Sequence, residues 1–224
     1  MVWEMYEEDE VIACVRLEDG EVRVYPLGRE EAHRANVPHI VVRVLGFSED
    51  GLILVQKRSK LKRSNPGRYT DTASGHVSPK EALSPDGLFK AAERELIEEM
   101  GVRGRLSFFM GPLYDEDDNE VNYVFLALVG GVPSFSDEVD AEGSGFMTPD
   151  RLRAMLSSED FVPMAKALWQ RFLEKYPERD DIRELALGFV EGGGRDILER
   201  AVSEELRSLL IRMGGFKGES LEDG

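Results

Sequence analysis

Residues 84–101 encode one helix with a defined start, a defined stop and two unlike faces. Whatever fold the chain adopts must seat that helix between a core and a charged surface. Ser84 supplies an N-cap oxygen, and Pro85 suits the first helical position, where a missing N–H costs nothing. Gly101 supplies a left-handed stop. At about 100° per residue, Phe89, Ala92, Leu96 and Met100 form an apolar stripe that faces a core. Glu95, Glu98 and Glu99 fall within about 100° of one another on a neighbouring face. Three carboxylates so close repel one another unless a cation compensates them. Mg2+ and Mn2+ favour such oxygens, together with retained waters and phosphate oxygens. An ordinary solvated glutamate face is the competing reading of the same residues.

Around this helix the hydrophobic period is mostly that of strands. Val11–Leu17 and Val22–Tyr25 flank the turn Asp19-Gly20 and read as a hairpin. His39–Phe47 and Leu52–Gln56 are β-rich and are separated by the turn Glu49-Asp50-Gly51, and Arg68–Val77 reads as extended. Ser107–Tyr114 and Val121–Val129 read as strands joined by the polar loop 115–119. Thr148-Pro149-Asp150 starts another helix, and Phe161–Lys175 forms a longer one. Beyond Tyr176 the composition shifts: residues 177–213 look helical, broken at Gly192-Gly193-Gly194, before a Gly- and Glu-rich tail predicted to fray. The expected architecture is an α/β sandwich: a domain over residues 1–176 and a helical C-terminal extension over 177–224. The extension carries apolar residues at helical spacing: Ile182, Leu185, Leu187 and Val190, then Ile197, Val202, Leu206, Leu209 and Leu210. That pattern leaves open docking onto the domain or a homodimer interface. Trp3, Trp169 and Tyr176 read as packing residues.

A net charge of −16 repels a nucleic-acid backbone and argues against a nucleic-acid partner. It makes the basic run Lys57–Arg63 conspicuous, since Arg forks and Lys ammonium groups suit phosphate oxygens. The single cysteine, Cys14, rules out an internal disulfide. No apolar run approaches the roughly 18 residues that span a bilayer, so no membrane partner is expected. The acidic start MVWEMYEEDE lacks the order of a signal peptide, and a cytoplasmic location is the default expectation.

The helix also carries a recognisable pattern. Gly75, Glu81 and then Arg94-Glu95-Leu96-Ile97-Glu98-Glu99-Met100-Gly101-Val102 resemble the Nudix box, Gx5Ex7REUxEExGU with U aliphatic. The second half matches at every fixed position. Twelve residues separate Glu81 from Arg94, five more than the pattern, and the excess falls near Ala82–Asp86 before the helix. The resemblance implies a Nudix fold and hydrolysis of a nucleoside diphosphate derivative or a similar organic diphosphate. It implies Glu95, Glu98, Glu99 and Glu81 as ligands of Mg2+ or Mn2+, with Arg94 orienting a glutamate. Metals in such a site neutralise phosphate charge and activate a water. Glu120 is the candidate to take that water's proton.

The likeness extends further. Gly28–Arg34, Pro38-His39, Gln56–Lys62, Pro66-Gly67, Ser74–Val77 and Asn119–Val121 appear in the order seen in Nudix proteins similar to type I isopentenyl diphosphate isomerase. That likeness covers roughly residues 8–175. It implies a second metal site at His33, His39, His76, Asp118 and Glu120, suited to Mn2+ or Zn2+, although His33 and His39 stand one residue closer than in the isomerases. It places Arg58 and Lys62 near the diphosphate, with Gly75 among the substrate-binding positions. The isomerases move a proton with a cysteine just before the Gly-His pair; here that residue is Ser74, a far weaker acid. With the REUxEE set intact, a hydrolase is expected ahead of an isomerase or a non-catalytic phosphometabolite binder.

Overall fold

A computed structural model describes residues 10–214; Trp3 and residues 215–224 of the tail lie outside the described residues. The hairpin forms as β1 (Val11–Glu18) and β2 (Glu21–Gly28). It reverses at Asp19 and Gly20, whose φ values of 52° and 78° suit the tight turn. A short helix α1 (Arg29–Arg34) leads to β3 (His39–Phe47), followed by β4 (Ile53–Lys57), β5 (Tyr69–Thr70) and β6 (Ala73–His76). Helix α2 (Pro85–Met100) precedes β7 (Gly104–Asp115), β8 (Glu120–Val129) and β9 (Gly145–Met147). The chain ends in α3 (Pro149–Ser158), α4 (Pro163–Lys175), α5 (Arg179–Leu187), α6 (Arg195–Arg200), a π-helical stretch Ala201–Glu205 and α7 (Leu206–Arg212).

Strand β3 organises the sheet. All nine of its residues are buried, as expected of a strand covered on both faces. On one side it runs parallel to β8 over its full length, from His39 opposite Glu120 to Phe47 opposite Leu128. On the other side it meets β1 at Cys14, β6 from His76 to Ala73, and β4 at Leu54 and Ile53. Side chains alternate across the sheet. Ile40, Val42 and Val44 join a core with Leu88, Ala92, Leu96 and Met100 of α2. Leu45 and Phe47 join a second core with α3, α4 and α5. The result is a three-layer α/β/α sandwich. The remaining odd positions of β3 that are polar, His39 and Arg43, are buried as well.

Helix α2 is bounded as its residues predict. Ser84 Oγ accepts a hydrogen bond from the Gly87 N–H at 3.0 Å, and Gly101 closes the helix at φ 64°. Trp169 is fully buried and its indole N–H donates to the Thr70 carbonyl at 3.0 Å.

The C-terminal helices are shared between the two faces. Ile182 and Ala186 of α5 complete the core beneath α3 and α4. Leu198, Ala201, Val202, Leu206 and Leu210 complete the core beneath α2. The chain changes faces along the edge of β7, where Gly192 N–H donates to Leu106 O at 2.7 Å and Phe108 N–H donates to Gly193 O at 2.9 Å. A Cβ at Gly193 would lie 2.7 Å from Ser107 Oγ, so the glycines permit a close backbone approach as well as a break. Leu187, 90% exposed, and Val190 stay outside both cores.

If α7 is part of the core, Leu206→Ala lowers unfolding stability by about 2–5 kcal/mol, whereas Leu187→Ala changes it by less than about 0.5 kcal/mol. Urea-unfolding midpoints of the two variants check this.

Candidate active site

The carboxylate face of α2 lies against the backbone of β6. Gly75 has no side chain, and Glu95 uses the space: a Cβ at position 75 would sit 2.1 Å from the Glu95 carboxyl carbon. One turn on, Glu99 Oε2 accepts hydrogen bonds from the Ser74 N–H and from Gln56 Nε2, each at 3.0 Å. Burial pushes both carboxyls up to about 7. For Glu95 the nearby Arg94 works against that rise, and for Glu99 the Ser74 N–H does. Glu98 projects outward, its side chain 59% exposed.

Arg94 joins the parts of this face. Its Nη1 contacts Glu95 Oε1 at 2.5 Å and Glu98 Oε2 at 3.5 Å. Its Nη2 donates to the His76 carbonyl at 3.1 Å and lies 3.6 Å from Glu81 Oε2. Glu81 sits in the turn before the helix, where Oε2 accepts from Ser78 N–H at 3.1 Å and Ser78 Oγ at 2.7 Å. The five additional residues therefore leave Glu81 facing Arg94, with its carboxylate tied to its own turn.

A second cluster lies at the other end of β6. His33 from α1, His39 at the start of β3 and His76 at the end of β6 each offer a ring nitrogen, all within 4.8 Å of one another. His33 Nε2 and His76 Nε2 are 3.3 Å apart. His39 Nδ1 lies 3.0 Å from the Val37 carbonyl, which requires the proton on Nδ1 and leaves a lone pair on Nε2. That Nε2 is buried and has no partner among the described residues. Burial lowers His39 to about 4 and also lowers His76, with His39 as the next cause. Imidazole nitrogens around an unsatisfied buried Nε2 suit a divalent cation. Glu120 stands beside His39 in the β3–β8 register. Asp118, its carboxyl raised by burial, acts on His39 through its charge.

Several residues gain importance only in three dimensions. Arg43 is buried and contacts Asn122 Oδ1 at 2.6 Å, Asp71 Oδ2 at 2.8 Å and Glu120 Oε2 at 2.7 Å. The one signal for it in sequence is a charged residue inside the apolar run His39–Phe47. Gln56, which opens the stretch Gln56–Lys62, gains a role only through its buried contact with Glu99. Arg58 and Lys62 are engaged within their own neighbourhood: Arg58 with Ser64 O at 3.1 and 3.0 Å, Lys62 with Glu138 at 2.5 Å. Cys14 is buried opposite His39, its thiol pushed up to about 12 by burial and then by Glu31. It is a neutral core thiol.

A model of the NUDIX domain matches residues 37–168, more than half of the chain. The chain belongs to the Nudix family. It is 30% identical over 169 residues to an uncharacterized Nudix hydrolase of Shigella flexneri, YfcD, spanning 74% of this chain and 83% of that protein. It is also 30% identical over 147 residues to an isopentenyl-diphosphate Delta-isomerase of Streptomyces coelicolor, spanning 60% of this chain and 72% of the isomerase. Among solved structures, DR0079 from Deinococcus radiodurans superposes with a TM-score of 0.56 at 19% identity, over 72% of this chain and 98% of that one, which shows the shared fold. Nudix relatives thus include both hydrolases and isomerases. Among the described residues no helix is long and apolar enough to cross a membrane.

The raised carboxyls predict a pH dependence. A carboxyl whose pKa rises on folding holds its proton more tightly in the folded state. Its stabilising effect is present below the ordinary value of 4.5 and is lost as pH rises through about 7. Metal-free protein therefore loses Tm between about pH 5 and pH 7.5. Glu99→Gln, which keeps an acceptor for Ser74 and Gln56, recovers about 1–2 kcal/mol at pH 7.5, or roughly 2–8 °C. Thermal melts in chelator check both.

Proposed function

We propose that this protein is a divalent-metal-dependent hydrolase that cleaves a diphosphate linkage in a nucleoside diphosphate derivative or a similar organic diphosphate. The observation that carries this reading is the set Glu95, Glu98 and Glu99 on α2, with Glu95 seated over Gly75 and Arg94 bracing it. Two buried carboxyls and one exposed carboxylate form a donor set of hard oxygens that suits Mg2+ or Mn2+. Glu95, Glu98 and Glu99 would hold such an ion, which would supply positive charge against the phosphates and make a water more acidic.

The chain's own residues have distinct tasks in this reading. Arg94 fixes the Glu95 carboxylate and, through the His76 carbonyl, ties α2 to β6. Gly75 keeps the floor beneath Glu95 free of side-chain atoms. Glu98, exposed to solvent, faces the incoming diphosphate and its ions. Glu120 accepts the proton from the attacking water. Glu81 steadies Arg94 from the turn before the helix. Arg58 and Lys62 exchange their present partners, Ser64 and Glu138, for phosphate oxygens when substrate enters.

The three-histidine cluster favours a second reading, an activity of the isopentenyl diphosphate isomerase type. Ser74 weighs against it. A serine hydroxyl lacks the acidity to protonate or deprotonate carbon at neutral pH, and no other thiol stands in its place.

Purified protein with Mg2+ or Mn2+, offered nucleoside di- and triphosphates, nucleotide sugars, dinucleotides and isoprenoid diphosphates, should cleave at least one of them. Mass spectrometry reads the products. Glu98→Gln should abolish that cleavage, and Gly75→Ala, which pushes Glu95 off its seat, should reduce it by about 100-fold. Dimethylallyl diphosphate appearing without cleavage would establish the isomerase instead. No product from any member would leave only phosphometabolite binding.

A further inference from the structure

We propose that Gln56 is a positioning residue: together with the Ser74 N–H it occupies one oxygen of the Glu99 carboxylate, so that Glu99 meets a cation through Oε1 alone. This inference rests on reading Glu95, Glu98 and Glu99 as a cation site.

Position 56 is an anomaly in β4. Side chains alternate along a strand. Leu54 packs into the core beneath α2 and Val55 into the core on the other face, so position 56 faces α2 as Leu54 does. Gln56 is 1% exposed there, where an apolar side chain would pack. A buried amide costs stability unless its polar atoms find partners.

The partners of its nitrogen are both on the last turn of α2. Nε2 donates to Glu99 Oε2 at 3.0 Å and lies 3.8 Å from Met100 Sδ. A carboxylate and a thioether only accept, so the amide nitrogen and not its oxygen faces them. The backbone beneath is fixed as well: Gln56 pairs with Thr70 of β5, and its N–H donates to Asp71 O at 3.3 Å.

Glu99 is thus gripped from two strands, by Gln56 of β4 and by the Ser74 N–H of β6, and both bonds fall on Oε2. Two donors satisfy the two lone pairs of that oxygen, and a cation could reach it only by displacing one of them. Turning the carboxylate would break both bonds, so the direction of Oε1 is fixed. Glu98 has no such clamp: it is exposed, and Arg94 Nη1 stands 3.5 Å away. The face therefore joins one fixed carboxylate to one that is free to follow an ion. A lysine at position 56 could also donate to Oε2, but its charge would repel the cation; a neutral amide donates without that cost.

Mg2+ alone is the probe, since it favours oxygen over imidazole donors. It is titrated calorimetrically into the full chain and its Gln56→Met, Gln56→Asn, Glu99→Gln and doubly substituted Gln56→Met/Glu99→Gln forms. Met matches Gln in length without the donor, and Asn keeps the amide but falls one methylene short. Each single change at Gln56 should weaken Mg2+ binding by about 10-fold or more, with the metal-free Tm within about 3 °C of wild type. In Glu99→Gln, adding Gln56→Met should cost no further affinity. The infrared bands of the Mg2+-bound Glu99 carboxylate, isolated by subtracting the Glu99→Gln spectrum, should show the wide splitting of ligation through one oxygen. Wild-type affinity in Gln56→Met would overturn the proposal; if that variant does not fold, wild-type affinity in Gln56→Asn does so. So would a full further loss in the double variant, or the narrow splitting of a bidentate carboxylate. Those results would leave the α2 cation site standing. No Mg2+ binding by the wild type, or unchanged binding in Glu99→Gln, would instead remove the site itself and this inference with it.

Discussion

The contact between the Glu95 carboxylate and the bare backbone of Gly75 is the constraint on which the rest of the site depends. It brings α2 down onto β6 until a side chain at position 75 would overlap the carboxyl group. It also removes Glu95 from water, next to a second buried carboxyl at Glu99, and burial raises both to about 7. The protein itself supplies one guanidinium, Arg94, against Glu95, Glu98 and Glu81. On the proposed reading, a bound cation offsets this charge imbalance. The fold tolerates it because the neighbouring stripe, Ala92, Leu96 and Met100, is fully buried against the sheet.

Strand β6 makes the two clusters neighbours. Four residues long, it presents Ser74 N–H to Glu99, the Gly75 surface to Glu95, the His76 carbonyl to Arg94 and the His76 ring to His33 and His39. β3 beside it carries Arg43 and His39 toward β8, where Glu120 waits in register. The glutamates of α2 and the imidazoles of His33, His39 and His76 are therefore both packed against one short strand. On the proposed reading, Ser74, a weaker acid than a thiol, favours hydrolysis over isomerisation.

Most of the fold could be read before the structure, because its signals are local. The Ser84-Pro85 start and Gly101 stop bound α2 through capping and backbone geometry. The run His39–Phe47 read as β-rich, and it forms β3. The glutamate face of α2 and the three histidines were legible from helical geometry and family pattern. What was not legible depends on pairing between distant segments. Arg43 meets Asp71, Glu120 and Asn122 across intervals of 28, 77 and 79 residues, and no local period encodes that. The division of the last helices, α5 to one face and α6–α7 to the other, turns on Gly193 approaching β7. The basic residues Arg58 and Lys62 carried a charge signal, but charge says nothing about which partner a side chain takes.

Calorimetric titration of Mg2+ into the protein at pH 7, in two buffers of different ionisation enthalpy, tests the central claim most directly. Carboxyls near half-protonation must release protons to bind an ion, so binding should expel about one proton per chain. That binding should vanish in Glu95→Gln/Glu99→Gln and persist in His33→Ala. Mg2+ binding that releases no proton, or that survives loss of both glutamates, would contradict a site built on the buried carboxylates of α2.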